Sequence, residues 1–368
     1  MFPKLKFTKE QIEDYYSKVT PAMVRTSLAA DRHTYFDLLN LLSPAAAQPE
    51  FREALREAAM KARRRYYGKT VSIFAPLYIS NTCVNSCRYC DFNITHHAER
   101  KILTLDEIRM ECDAIRKHNI DSLLIVAGED PKHMTVDYLC EVGRMLKDTF
   151  SCLSLEVAPQ EEDAYRKLFE AGYESLICFQ ETYEKDLYKY LHPAGPKSVY
   201  DFRVWTQLRA GKAGFRTLGI AFLLGLAPWR IEAASLGAHA FYLMKECYRS
   251  RIQFAFPRIT PMSGGFQPEH PVNEEDLELM MLVFRIVFPE CGMTVSTRED
   301  PEFRDRIVQT AADNMSAGSR VTPGGYAVLA DKDVAQFTLN DSREPEDIYK
   351  AIHANGQEVV FKNWDKRI

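Results

Sequence analysis

The chain has 368 residues, 47 Lys and Arg against 51 Asp and Glu, and 46% hydrophobic content. A net charge of −4 with that apolar share excludes global disorder and argues against a dedicated nucleic-acid binder. No run approaches the roughly 20 apolar residues of a membrane helix, and the start, MFPKLKFTKEQIEDYY, lacks the apolar core of a secretion signal. The expectation is a cytoplasmic protein whose nine cysteines stay reduced, as core residues or metal ligands.

Residues 1–70 read as an N-terminal helical extension of short polar amphipathic stretches. The basic run Lys61, Arg63, Arg64, Arg65 reads as a solvated helix face near Glu53 and Glu57. From Val71 short apolar runs alternate with amphipathic helices. A strand covers 71–80. The capping box Thr104-x-x-Glu107 then opens a helix ending at Asn119. Strands follow at 122–128, 153–159, 175–181, 217–226, 251–258 and 292–299. Helices at 136–150, 161–170, 199–212, 229–249 and 273–288 separate them, and a helix at 301–311 starts with proline. A segment at 315–319 offers an eighth strand.

The strands are apolar on both faces, as parallel strands covered by helices should be. Eight such units in about 250 residues predict a (β/α)8 TIM-type barrel over 71–327. An open doubly wound sheet is the rival, but no Gly-x-Gly-x-x-Gly turn follows the first strand. Residues 328–368 read as a short polar C-terminal tail packed on the barrel, with a helix at 345–354 and a strand-like run at 359–361.

Cys83, Cys87 and Cys90 follow the first strand within the eight residues CVNSCRYC. Three thiols on a polar loop are not core packing, and soft thiolates select zinc, copper(I) or iron–sulfur clusters. Structural zinc needs four ligands, which His96 or His97 would have to complete. The other six cysteines, Cys112, Cys140, Cys152, Cys178, Cys247 and Cys291, read as small core residues.

Active sites of such barrels gather at the carboxyl ends of the strands. There the chain places Tyr78, Gly128, Glu129, Glu156, Gln160, the run Gln180-Glu181-Thr182-Tyr183, Arg258, and Ser296 to Glu299. The eighth segment adds Ser316, Ser319 and Arg320. Strand five ends apolar at Leu224, Leu226 and Trp229, which would pack an adenine ring. Arg258 and Glu299 also read as a rim ion pair. Together these polar ends suit a zwitterionic cofactor and a zwitterionic substrate, with arginine the natural bidentate partner of a carboxylate.

The Cys-x3-Cys-x2-Cys spacing with an aromatic before the last cysteine resembles the radical S-adenosylmethionine (radical SAM) superfamily. The segments PLYISNTCVNSCRYC, VAGE, QETY, FPRITP, STRE and NMSAGSRVTPGGY, with the tail QF, DSREP and NWD, are similar to its aromatic-amino-acid lyases. Within these the likeness is to the tyrosine lyases of thiamine biosynthesis.

The resemblance implies a [4Fe–4S] cluster on Cys83, Cys87 and Cys90, and S-adenosylmethionine cleaved to methionine and a 5′-deoxyadenosyl radical. It implies breakage of the L-tyrosine Cα–Cβ bond, giving p-cresol and dehydroglycine for the thiazole of thiamine. Tyr89 would lie against the adenine, and Gly128 and Glu129 would meet the methionine amino end. Glu156, Gln180, Glu181, Tyr183 and Arg258 would be further cofactor contacts. Arg298 would clamp the substrate carboxylate, with Ser316 and Tyr78 bonding the substrate and Ser319 the alternative to Ser316. A flavodoxin or ferredoxin electron donor and a complex with thiazole synthase are likewise implied.

Tyrosine lyases of [FeFe]-hydrogenase maturation carry further cysteines in a carboxy-terminal domain. Here the last cysteine is Cys291. A tryptophan lyase is the other relative that would use the same strand ends. An electron carrier or a zinc-binding module would have little use for a ring of polar strand ends.

Overall fold

The computed structural model describes residues 7–96, 99–260, 265–328 and 335–361. Four helices come first: α1 (Lys9–Lys18), α2 (Pro21–Leu28), α3 (Tyr35–Leu42) and α4 (Pro49–Tyr67). Threonines 8, 20 and 34 cap the first three, each accepting a backbone N–H of the first turn. The barrel then alternates β1 (Thr70–Ser80), α5 (Leu105–Arg116), β2 (Ser122–Ala127), α6 (Val136–Leu146), β3 (Cys152–Glu156), α7 (Glu162–Glu170) and β4 (Ser175–Ile177). Next come α8 (Lys185–Leu191), a 3-10 turn (Pro196–Ser198), α9 (Tyr200–Val204), α10 (Thr206–Ala213), β5 (Thr217–Ile220), α11 (Trp229–Glu246) and β6 (Arg251–Ala255). The chain continues through α12 (Glu274–Val287), β7 (Gly292–Val295), α13 (Pro301–Thr310), β8 (Asn314–Ser316), α14 (Pro345–Ala354) and β9 (Glu358–Val360).

All neighbouring strands pair in parallel, and β1 closes the barrel by bonding both β2 and β8. The fold is a (β/α)8 barrel, as the alternation of buried strands and capped helices dictates. The Thr104–Glu107 capping box is present, though its helix stops at Arg116. The start of β1 extends below the barrel, and β9 pairs with it at Thr70 to Ser72. Among the described residues no helix is long and apolar enough to cross a membrane.

Three departures from the sequence reading matter. The strands are shorter at their carboxyl ends, because the chain there bends to present polar groups. After β4, Glu181 adopts φ +73°. The stretch 199–212 holds two helices, with Trp205 between α9 and α10, and α8 precedes them. Lastly, Arg63 is not on a solvated face but fully buried. It donates to Ala312 O and Thr70 O, both at 2.8 Å, and to Gly68 O at 3.0 Å. A planar fork of donors satisfies carbonyls that segment ends leave without partners.

Candidate active site

One cavity of about 270 Å³ opens at the carboxyl ends of the strands and extends into the barrel. Cys83, Cys87 and Cys90 line it, together with Tyr78, Tyr89, Gly128, Glu129, Glu156, Glu181, Arg298, Ser316 and Ser319. Among the described residues no three His, Cys, Asp or Glu side chains converge on a single ion. His96 turns towards Asp91 at 3.8 Å, and His97 lies outside the described residues. The donor set is three thiols on one loop with an adjoining cavity, which fits an iron–sulfur cluster with one iron left for a small ligand. Burial pushes the Cys87 thiol up to about 12 and Cys90 to about 11, opposed by the nearby Lys197 ammonium. Metal loading therefore has to displace protons.

The cysteine loop is latched from two sides. Ser86 N–H donates to Ala194 O at 3.2 Å and Arg88 N–H to Leu191 O at 3.1 Å. Asn85, between the first two cysteines, accepts from Lys197 N–H at 2.9 Å and donates to Glu129 Oε2 at 3.0 Å. Gly128 follows β2 so closely against the loop that a Cβ would stand 2.2 Å from Thr82 O. Only glycine fits that approach.

Beside the thiols lies a buried charge network. Arg203 donates to Glu129 Oε1 at 2.8 Å and lies 3.7 Å from Glu181. Lys197 donates to Glu181 at 2.6 Å. Burial works against the charge of Glu181, but Lys197 and Arg203 outweigh it and lower its pKa. Glu156 goes the other way: burial, then the charge of Glu181, raise it to about 7. Two carboxylates on one cavity wall thus hold different protonation tendencies.

Tyr89 is fixed by its hydroxyl. Burial holds His192 down at about 3, so its ring is neutral. Its Nδ1 sits 2.7 Å from Tyr188 O and must donate there, which leaves Nε2 to accept from Tyr89 at 2.6 Å. Lys197 Nζ lies 5.7 Å from the Tyr89 ring centroid.

Also lining the cavity, Arg298 is half-buried with no carboxylate partner among the described residues. Its Nη1 donates to Arg258 O at 3.3 Å and its guanidinium lies over Phe337. Burial lowers its pKa, and Tyr78, Glu156 and Glu181 oppose that. Tyr78 donates to Gln336 Oε1 at 2.5 Å. Ser316 Oγ accepts from Thr297 N–H at 3.2 Å, whereas Ser319 Oγ is buried without a partner among the described residues. The free hydroxyl makes Ser319 the better placed of the two to meet a ligand.

Four sequence readings fall away from this cavity. Tyr183 bonds His239 Nδ1 at 2.8 Å in the core, because Glu232 draws the Tyr183 N–H inward at 2.8 Å. Gln180 is buried and does not line the cavity, with neither amide atom partnered among the described residues. Arg258 is the rim partner of Glu299 and also donates to Val272 O at 3.1 Å. Leu224 and Trp229 join the main core, and Leu226 backs Cys87 and Tyr89. Leu223 and Ile259 supply the apolar lining instead. Cys152, read as packing, does line the cavity deep in the barrel. Lys197, Arg203 and Asn85 were given no role from sequence, and Gln336 and Phe337 entered only as the QF of the tail resemblance. Lys197 sits in the 3-10 turn and Arg203 in the short helix α9, neither long enough for its pattern to show a direction, and the other three gain meaning only from distant partners.

Comparison with known proteins agrees with this architecture. The radical SAM superfamily profile matches residues 77–235, and the Biotin and Thiamin Synthesis associated domain matches residues 255–358. The chain is 37% identical to 2-iminoacetate synthase of Salmonella typhimurium, over 94% of this chain and 91% of that protein. The Escherichia coli 2-iminoacetate synthase gives the same identity and coverage. A crystal structure of HydG, a maturase of the [FeFe]-hydrogenase, superposes with a TM-score of 0.89 at 29% identity, covering 96% of this chain and 80% of HydG.

Proposed function

The chain belongs to the 2-iminoacetate synthase family of the radical SAM superfamily, and from that membership we propose that it is a carbon–carbon lyase splitting L-tyrosine into dehydroglycine and p-cresol. The observation that carries this reading is a single cavity lined both by the three thiols and by a half-buried Arg298 that has no carboxylate partner among the described residues. A [4Fe–4S] cluster and S-adenosylmethionine, when bound, supply reductive cleavage to a 5′-deoxyadenosyl radical, with methionine and 5′-deoxyadenosine as co-products.

The chain's own residues bind, orient and exclude water. Cys83, Cys87 and Cys90 hold the cluster. Gly128, Glu129, Glu181 and Tyr89 border the space beside it and fit the cofactor. The guanidinium of Arg298 takes the substrate carboxylate in a two-bond fork. Ser319, Ser316 and Tyr78 stand on the same wall to fix the rest of the amino acid. Holding the substrate this way selects which hydrogen faces the radical carbon.

The product is destined for the thiazole of thiamine. An external one-electron donor of the flavodoxin or ferredoxin type supplies the reductant, and thiazole synthase receives the product. The setting is the cytoplasm, where the free cysteines stay reduced.

Anaerobic reconstitution with S-adenosylmethionine, reductant and tyrosine tests the reading. It should yield 5′-deoxyadenosine, p-cresol and glyoxylate, the hydrolysis product of dehydroglycine. An indolic product from tryptophan and none from tyrosine would overturn it.

A further inference from the structure

The segment following β8 returns to the mouth of the cavity and is tied down there. Gln336 N–H donates to Val321 O at 3.0 Å, and Asn340 N–H to Thr297 O at 2.9 Å. The Asn340 side chain donates to Arg298 O at 2.6 Å. Buried Asp341 receives the buried Arg304, and Arg343 bridges Asp341 at 2.7 Å to Asp305 at 2.8 and 3.0 Å. Arg304 also donates to Ser316 O, so one guanidinium joins β8 to this strap.

Held in this way, the strap puts two side chains on the cavity wall. Gln336 receives the Tyr78 hydroxyl. The Arg298 Cζ stands 3.5 Å from the Phe337 ring centroid, a van der Waals distance that only stacking allows. The 3.3 Å bond to Arg258 O, the one side-chain bond Arg298 makes among the described residues, does not set the plane of a guanidinium. An aromatic face does, because it fills one side of the fork and leaves the edge free. Phe337 itself is half-buried and packs at the margin of a small cluster around Tyr78, Phe92, Val126 and Val321.

We infer that Phe337 is a positioning residue: by stacking on Arg298 it sets the plane in which that guanidinium meets the carboxylate of an α-amino acid. The inference rests on Arg298 being the carboxylate clamp proposed above.

Equilibrium binding of L-tyrosine and of tyramine, which lacks the carboxylate, tests it. The protein carries its cluster and S-adenosylmethionine, without reductant, so no turnover enters. The parent should prefer tyrosine, and Phe337→Leu should lose about tenfold in tyrosine affinity, ~1.4 kcal/mol, with tyramine unchanged. Phe337→Tyr, which keeps the ring face, should bind like the parent. If Phe337→Leu kept the preference, or weakened both ligands equally, the inference would fall while the clamp stood. The same holds if Phe337→Tyr behaved like Phe337→Leu. A parent that binds tyramine as well as tyrosine would overturn clamp and inference together.

Discussion

The two walls of the cavity are finished to different degrees. On the cysteine side, Glu129, Glu181, Lys197, Arg203 and Asn85 satisfy one another across three segments. On the β7–β8 side, among the described residues, Arg298 has no carboxylate and Ser319 Oγ has no partner. A buried polar group without a bond costs free energy, so the second wall favours a ligand that supplies one. In the function proposed above, the first wall would frame the cofactor loop and the second would recognise the amino acid.

Breaking the frame at its centre should have the largest effect. Cys87→Ser should abolish cluster loading, and 5′-deoxyadenosine formation should fall to background. Retained brown absorbance and turnover in that variant would remove the loop from the chemistry.

Next in size is the charge network. Lys197→Met leaves Glu181 buried and less compensated, which should cost about 3–5 kcal/mol in urea unfolding. The double variant Lys197→Met, Glu181→Gln should recover part of that loss. No recovery would mean the two side chains are not coupled.

Glu156 sharpens the contrast through pH. The folded chain keeps its proton up to about 7, and the unfolded chain releases it near the ordinary carboxyl value of 4.5. Between those values the native state binds more protons, so stability falls as pH rises through the window. Glu156→Gln lacks that loss, and its advantage over the parent should grow by up to ~3 kcal/mol across the window. Unfolding at about pH 5 and about pH 7.5 measures it, and an equal difference at both would contradict the raised pKa.

On the open wall, Arg298→Lys keeps the charge but loses the fork. It should lower kcat/KM for tyrosine about a hundredfold, with cluster loading intact. The smallest effects separate the two serines. Ser316→Ala strands the Thr297 N–H and should cost about 1 kcal/mol of stability. Ser319→Ala should cost no stability and should weaken tyrosine binding. Reversed results would reverse their roles.

Much of this was legible in the chain itself. Strands apolar on both faces, and helices opened by Thr104 and Asn273, are local patterns whose energies come from near neighbours. The three cysteines stand out because soft ligands so closely spaced have few other uses. Other features were not legible. Nothing near Arg63 distinguishes it from Arg64 or Arg65, yet it alone of the three is buried. Tyr183 and Arg258 looked like ligands from their strand ends, but Glu232 and Glu299 take them. Gln336 reaches Tyr78 across 258 positions of sequence.

The sequence by itself determined the barrel and the cysteine loop, since periodicity, capping and ligand spacing are decided within a few residues. Only the tertiary structure decided which charges cancel and which stay free. Pairing depends on distances of a few ångströms between segments far apart in the chain, and burial sets what an unpaired group costs.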